Sequence, residues 1–201
     1  MTLYKDWESR RGFVVSLRRR PLAIRAVNFT FITANAEADE GVMMSGITLK
    51  GTDAAAHKEG FNSWPTLKTQ GVTIEEFADD FTRAVIRMDV TDENANYMGT
   101  AFGGSLFSML DPFLVIMSIN QLGPDYVVWD KAAEIEFVAP GVGSVHATVE
   151  MSPETVAELR AAAEGGKKVL RWFEIPITGP DGELVASVRR QLYVRERRKD
   201  S

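Results

Sequence analysis

Residues 103–122 constrain the fold of this chain more than any other segment. Eleven of these twenty are large and apolar: Leu106, Phe107, Met109, Leu110, Phe113, Leu114, Val115, Ile116, Met117, Ile119 and Leu122. At helical spacing they point in nearly every direction, so a helix built from them must be wrapped by other structure. The narrow polar stripe is Ser108, Asp111 and Ser118. What can wrap such a helix follows from the rest of the chain. Residues 71–77 and 81–90 read as strands, the second through the alternation of Ala84, Ile86 and Met88 with Val85, Arg87 and Asp89. Strands resume at 125–138 and 143–151. Ser152, Pro153 and Gly165 then punctuate a helix over 153–164. Two last strands, 167–178 and 183–195, are joined by Gly179-Pro180-Asp181-Gly182, a hairpin signal. The expectation is an α+β domain, a curved antiparallel sheet around one long buried helix.

The chain has 201 residues, enough for one domain with an extension. Up to Ala36 it holds seven Lys/Arg against two acids, in a chain of net charge −5. Arg18-Arg19-Arg20, the run that follows and Ala34-Asn35-Ala36 can be read as a secretory leader, but Arg25 and Asn28 interrupt the apolar stretch. The alternatives are a poorly ordered extension or a start placed too far upstream, with Met43 and Met44 as later starts. Residues 45–70 read as a loose lead-in with a short helix or turn near 53–62. The expected division is an extension over 1–57 and a domain over 58–201.

The acidic balance gives no reason to expect nucleic acid as a partner, and no uninterrupted apolar run reaches a membrane span. There is no cysteine, which removes disulfides and thiolate nucleophiles and fits a reducing cytoplasm. The two histidines, His57 and His146, have no metal-ligand spacing, and no G-x-S-x-G elbow is present. His146 alternates with the apolar Val145 and Ala147 and should face away from the core.

Candidate chemistry gathers at 94–112. Gly103-Gly104 opens the apolar helix, where the first N–H groups lack internal partners and sit at the positive end. Such a pair serves either tight packing or close approach of a ligand. Asp111 lies seven residues past Gly104, roughly 10 Å along a continuous helix. Pro112 after it calls for a kink or break. An acid on a buried helix is paired, protonated or functional; pairing with Lys131 is the structural alternative. Asp130 and Lys131 follow Trp129 in a strand and should face opposite sides, as a structural pair or as substrate contacts. Lys167, Lys168, Arg171, Arg189 and Arg190 on the last two strands would form a solvated face or meet phosphates.

Four motifs carry a resemblance: N-x-N-x-x-G-T-x-F-G-G-S-L-F-x-x-x-D-P at 94–112, L-G-x-D-Y-x-V-W-D-K at 122–131, F-x-x-P-G at 137–141 and G-E-L-V-A-x-V-R-x-Q-L-Y-V-R at 182–195. From about Gly71 to Arg195 the chain resembles the hotdog-fold thioesterase superfamily of the phenylacetic-acid-degradation type, and within it a branch of thioesterase-like domains of unknown function. The resemblance implies a hotdog fold and an acyl-CoA thioesterase. Gly103 and Gly104 would polarise the thioester carbonyl, and Asp111 would activate water or attack directly. Better-studied relatives carry histidine where this chain has Phe102, which disfavours a dehydratase. Asn94 and Asn96 are candidates for part of that role, Asn96 beside the reacting centre. Phe102, Ser108, Asp130 and Lys131 complete the expected substrate contacts. The resemblance also implies a homodimer or dimer of dimers, with no cofactor beyond the coenzyme A of the substrate. A non-catalytic acyl-CoA or lipid-binding module is the competing expectation, favoured by Phe102. A partner-binding role for the basic extension lacks any motif.

Overall fold

A computed structural model describes the backbone at 42–44 and 47–49 and the chain from 53 to 197. The basic segment before residue 42, with its leader-like reading, lies outside the described residues. Two short strands, β1 (Val42–Met44) and β2 (Ile47–Leu49), pair antiparallel. Helix α1 (Ala54–Ser63) follows, with Asp53 as its N-cap: the Asp53 carboxylate accepts from the Ala56 N–H at 2.7 Å. This helix crosses the 57/58 boundary expected from the sequence, and Ala54, His57 and Phe61 are buried. His57 sits among the rings of Phe61, Phe77 and Phe81, its Nδ1 donating to the Asp53 carbonyl 2.9 Å away. A single turn, α2 (Pro65–Lys68), leads into the sheet.

The sheet comprises β3 (Val72–Phe77), β4 (Arg83–Asp89), β5 (Tyr126–Phe137), β6 (Ser144–Glu150), β7 (Val169–Thr178) and β8 (Leu184–Glu196). Their spatial order is β3-β4-β6-β7-β8-β5, every neighbouring pair antiparallel. Strand β5 is therefore an edge, paired within the chain through β8. Alternation places Ala84, Ile86 and Met88 of β4, and Val145, Ala147 and Val149 of β6, on the buried face. His146 points the other way, as expected, 3.1 Å from Ser144 Oγ. Helix α5 (Pro153–Ala163) is capped by Ser152, whose Oγ accepts from the Thr155 N–H at 3.2 Å.

The long apolar segment forms two helices rather than one. α3 (Gly103–Ser108) and α4 (Phe113–Leu122) are separated by a turn at 109–112. Pro112 is the cause: it cannot donate to Ser108 O, and Asp111 N bonds that carbonyl instead at 3.0 Å. Leu106, Met109, Leu110, Phe113, Leu114 and Met117 are buried against the inner face of the sheet. By length and composition 103–122 could cross a bilayer, but here it is the broken central element of the core. The wrap is partial. Ile119 is exposed and Val115 and Ile116 are half-buried, because six strands curl round only part of the helix circumference. This antiparallel sheet around a central helix is the hotdog architecture, of class α+β.

Candidate active site

Strand alternation on β8 determines the site. Ala186, Val188, Arg190, Leu192 and Val194 form one inward file, so a guanidinium enters the core at Arg190, which is 1 % exposed. Arg190 is therefore not on a solvated, phosphate-facing surface, as its grouping with Arg189 had suggested. Its Nη2 donates to Asp111 Oδ1 at 2.6 Å, and its Nη1 donates to the same oxygen at 3.1 Å and to the Asp111 carbonyl at 3.2 Å. The same Nη1 donates to Asp130 Oδ2 at 2.9 Å. The Phe107 ring lies 5.6 Å from the guanidinium carbon. The partner of Asp111 is Arg190, not Lys131. The Asp111 side chain remains 63 % exposed, and among the described residues the bonds it accepts on its carboxylate fall on Oδ1.

Asp130 reaches this cluster through an irregularity. Asp130 pairs with Leu192 and Ala132 with Gln191, so Lys131 is an extra residue in β5. A bulge of this kind changes the side-chain alternation. It lets Asp130 and Ala133, three residues apart, both face inward, where a regular strand would put them on opposite sides. Lys131 itself is exposed. Asp130 Oδ1 and Arg190 Nε are buried without a hydrogen-bond partner among the described residues. Burial raises the Asp130 carboxyl to about 6; the Arg190 charge opposes that rise and the Asp111 carboxylate adds to it.

The glycine pair makes room for rings. A Cβ on Gly103 would stand 2.9 Å from Phe137 Cζ, and one on Gly104 would stand 2.5 Å from Phe102 Cε1. Phe102 precedes the helix, is 55 % exposed and offers no side-chain cap, so among the described residues no side chain caps the first amides of α3. Beside α3 runs an open cleft of about 450 Å³, lined by Thr69, Gln70, Asn94, Phe102, Gly104 and Ser108 among others. Asp111 and Arg190 lie outside that lining. The cleft and the ion cluster flank the same short element, Ser108 on one side and Asp111 three residues on.

The polar candidates of the preceding loop are engaged by the loop itself. Asn94 donates to Gln70 O at 2.9 Å and to Asp89 O at 2.7 Å, and accepts from the Thr91 N–H. Asn96 Oδ1 accepts from the Met98 and Thr100 amides, and its Nδ2 donates to Thr100 Oγ1. Ser108 Oγ donates to Gln70 Oε1 at 2.5 Å. Arg171 pairs with Glu158, and Arg189 pairs with Glu134 at 2.8 Å and lies over Trp172. Those cations face outward with acids, as a solvated face would. Among the described residues no cluster of His, Cys, Asp or Glu could hold a metal.

One family model matches this chain over residues 54–194, that of a domain of unknown function (DUF4442). The match takes in α1, which the sequence motifs left outside. Three solved structures are similar in fold. A protein of unknown function from Pseudomonas aeruginosa is 19 % identical, with 69 % of this chain and 93 % of that one covered and a TM-score of 0.62. A thioesterase from Haemophilus influenzae is 15 % identical, covering 74 % and 94 %, at 0.52. The PaaI protein from the phenylacetic acid degradation operon of E. coli is 22 % identical, covering 74 % and 93 %, at 0.50. No curated protein is similar enough in sequence to be matched.

Proposed function

This chain belongs to the DUF4442 family, and we propose that it is a thioester hydrolase acting on acyl-CoA. The observation that carries this reading is Asp111: a largely exposed carboxylate, held on one oxygen by a buried guanidinium, at a break in the core helix that starts eight residues earlier at Gly103. Folds of this shape belong to a thioesterase and to a protein of an aromatic-acid degradation operon, which supports the same chemistry.

In this reading Asp111 takes a proton from water as the water oxygen adds to the thioester carbonyl. The amides of Gly103 and Gly104 hold the oxygen that becomes negative. Collapse breaks the C–S bond, and the thiolate recovers the proton from Asp111, giving acid and thiol. A covalent route, with Asp111 attacking the carbonyl, uses the same atoms. Asn94, Asn96 and Ser108 shape the loop and cleft beside α3, and the Phe102 ring lies beside the exposed Gly104. No cofactor is needed beyond the coenzyme A of the substrate, and the absence of cysteine suits a cytoplasmic enzyme. A homodimer fits the apolar surface left by Phe102, Phe137, Val138 and Val142 beside the β5 edge.

The test follows free thiol from short, medium, long and aromatic acyl-CoAs. Asp111→Asn should lower kcat by about 10²- to 10⁴-fold. Unchanged activity in that variant would sink the assignment. A second reading is a non-catalytic acyl-CoA-binding module. The Phe102 ring against Gly104, at the approach to the helix start, favours it. Binding without turnover in the same panel would establish that alternative.

A further inference from the structure

The arrangement of two carboxylates on one guanidinium has a use that the hydrolysis step leaves open. Asp130 is delivered to the core by a bulge, 2.9 Å from Arg190 Nη1, the same nitrogen that bonds Asp111. Bulges recur next to active sites because they re-aim one side chain. A purely structural counter-ion for Arg190 is already present in Asp111, which supplies three of its four bonds. Asp130 is therefore surplus to neutralising the buried charge. One of its oxygens is also buried with no hydrogen-bond partner among the described residues, which disfavours its charged form.

We infer that Asp130 is a positioning residue that acts through Arg190 and sets how firmly the guanidinium holds Asp111. When Asp130 is ionised, Nη1 is divided between two carboxylates. When it is neutral, the charge of Arg190 bears on Asp111 alone, and that carboxylate gives weaker help to the attacking water. Among the described residues, Asp111 from the helix break and Arg190 from β8 are the charged groups that act on Asp130; Leu192 opposite it is apolar, and Lys131 beside it is exposed. The Asp130 carboxyl titrates at about 6, so the change of state falls just below neutral pH. This inference rests on the hydrolase reading for its consequence on rate, but not for the coupling itself.

Two measurements on the full chain test it. In the first, kcat of the wild type should rise through about pH 6. Asp130→Asn, which mimics the neutral state, should lose that rise and lower kcat about tenfold at pH 7.5, with KM within about twofold. In the second, carboxyl-carbon NMR of the wild type should show the Asp111 resonance following a step near pH 6, a response absent in Asp130→Asn. An Asp111 signal indifferent to that step, or a variant that keeps the pH-dependent rise, overturns the inference. If Asp130→Asn does not fold, the wild-type spectrum alone decides. The outcomes separate from those of the hydrolase reading: an active Asp111→Asn removes the hydrolase assignment while leaving the NMR coupling intact. An inactive Asp111→Asn with no NMR coupling removes only the role of Asp130.

Discussion

Taking an arginine out of water costs several kcal/mol even after relaxation, and Arg190 offsets this with three bonds to Asp111 and one to Asp130. Asp130 is left with the less favourable share. Its folded-state value of about 6 lies above its ordinary 3.8. The fold thus prefers the neutral acid. The contribution to stability is fully present below about pH 4 and is lost as pH rises through 6. At neutral pH the ionised form weakens the fold by up to about 3 kcal/mol. Chemical denaturation from pH 4.5 to 7.5 should show the wild type losing stability relative to Asp130→Asn, and parallel curves would contradict this account. Both residues of this exchange were unequally legible. Asp111 was conspicuous as an acid in an apolar run. The position of Arg190 could have been read from Val188-x-Arg190-x-Leu192-x-Val194, a strict alternation that puts it in the core file, but its grouping with Arg189 and the cations of the preceding strand favours a surface reading.

Among the elements, the broken helix separates two roles that a continuous one would merge. α3 carries the glycine pair, and α4 carries most of the buried mass. Replacing Gly104 by alanine would favour the helix by about 1 kcal/mol while pushing the exposed Phe102 ring aside. Gly104→Ala should therefore change stability by less than about 1 kcal/mol. The same variant should lower kcat/KM at least about tenfold if a thioester sits over that turn. Thermal melting and steady-state kinetics on one preparation measure both; unchanged kinetics would place the substrate elsewhere. The break was legible from Pro112, and every strand of the main sheet was legible from alternation and turn residues. The bulge in β5 was not: reading Trp129-Asp130-Lys131 with period two assumes a regular ladder, and the extra residue is fixed by pairing with β8, far away in sequence. The helix α1 was only partly legible, because its buried side is built from Ala54, His57 and Phe61 without a sustained apolar stripe.

For the molecule as a whole, the twelve-residue edge of β5 is the feature least at ease in isolation. Among the described residues no strand pairs with its outer edge, and Phe137 and Val138 at its end are more than half exposed. Sedimentation should find a dimer, and Phe137→Asp should shift it toward monomer; a wild type that stays monomeric at tens of micromolar would exclude β5 as a joint. In a dimer joined through β5, the bulge at Lys131 would bear on the joint as well as on Asp130. It works as a key cut into the rim of the sheet. A strand laid along β5 can follow the ladder on one side of Lys131 but loses step on the other, unless it carries a matching irregularity. Another copy of this chain brings that irregularity with it, whereas an ordinary strand from elsewhere does not. The residue that turns a carboxylate toward the site thus also narrows which neighbours the edge can accept.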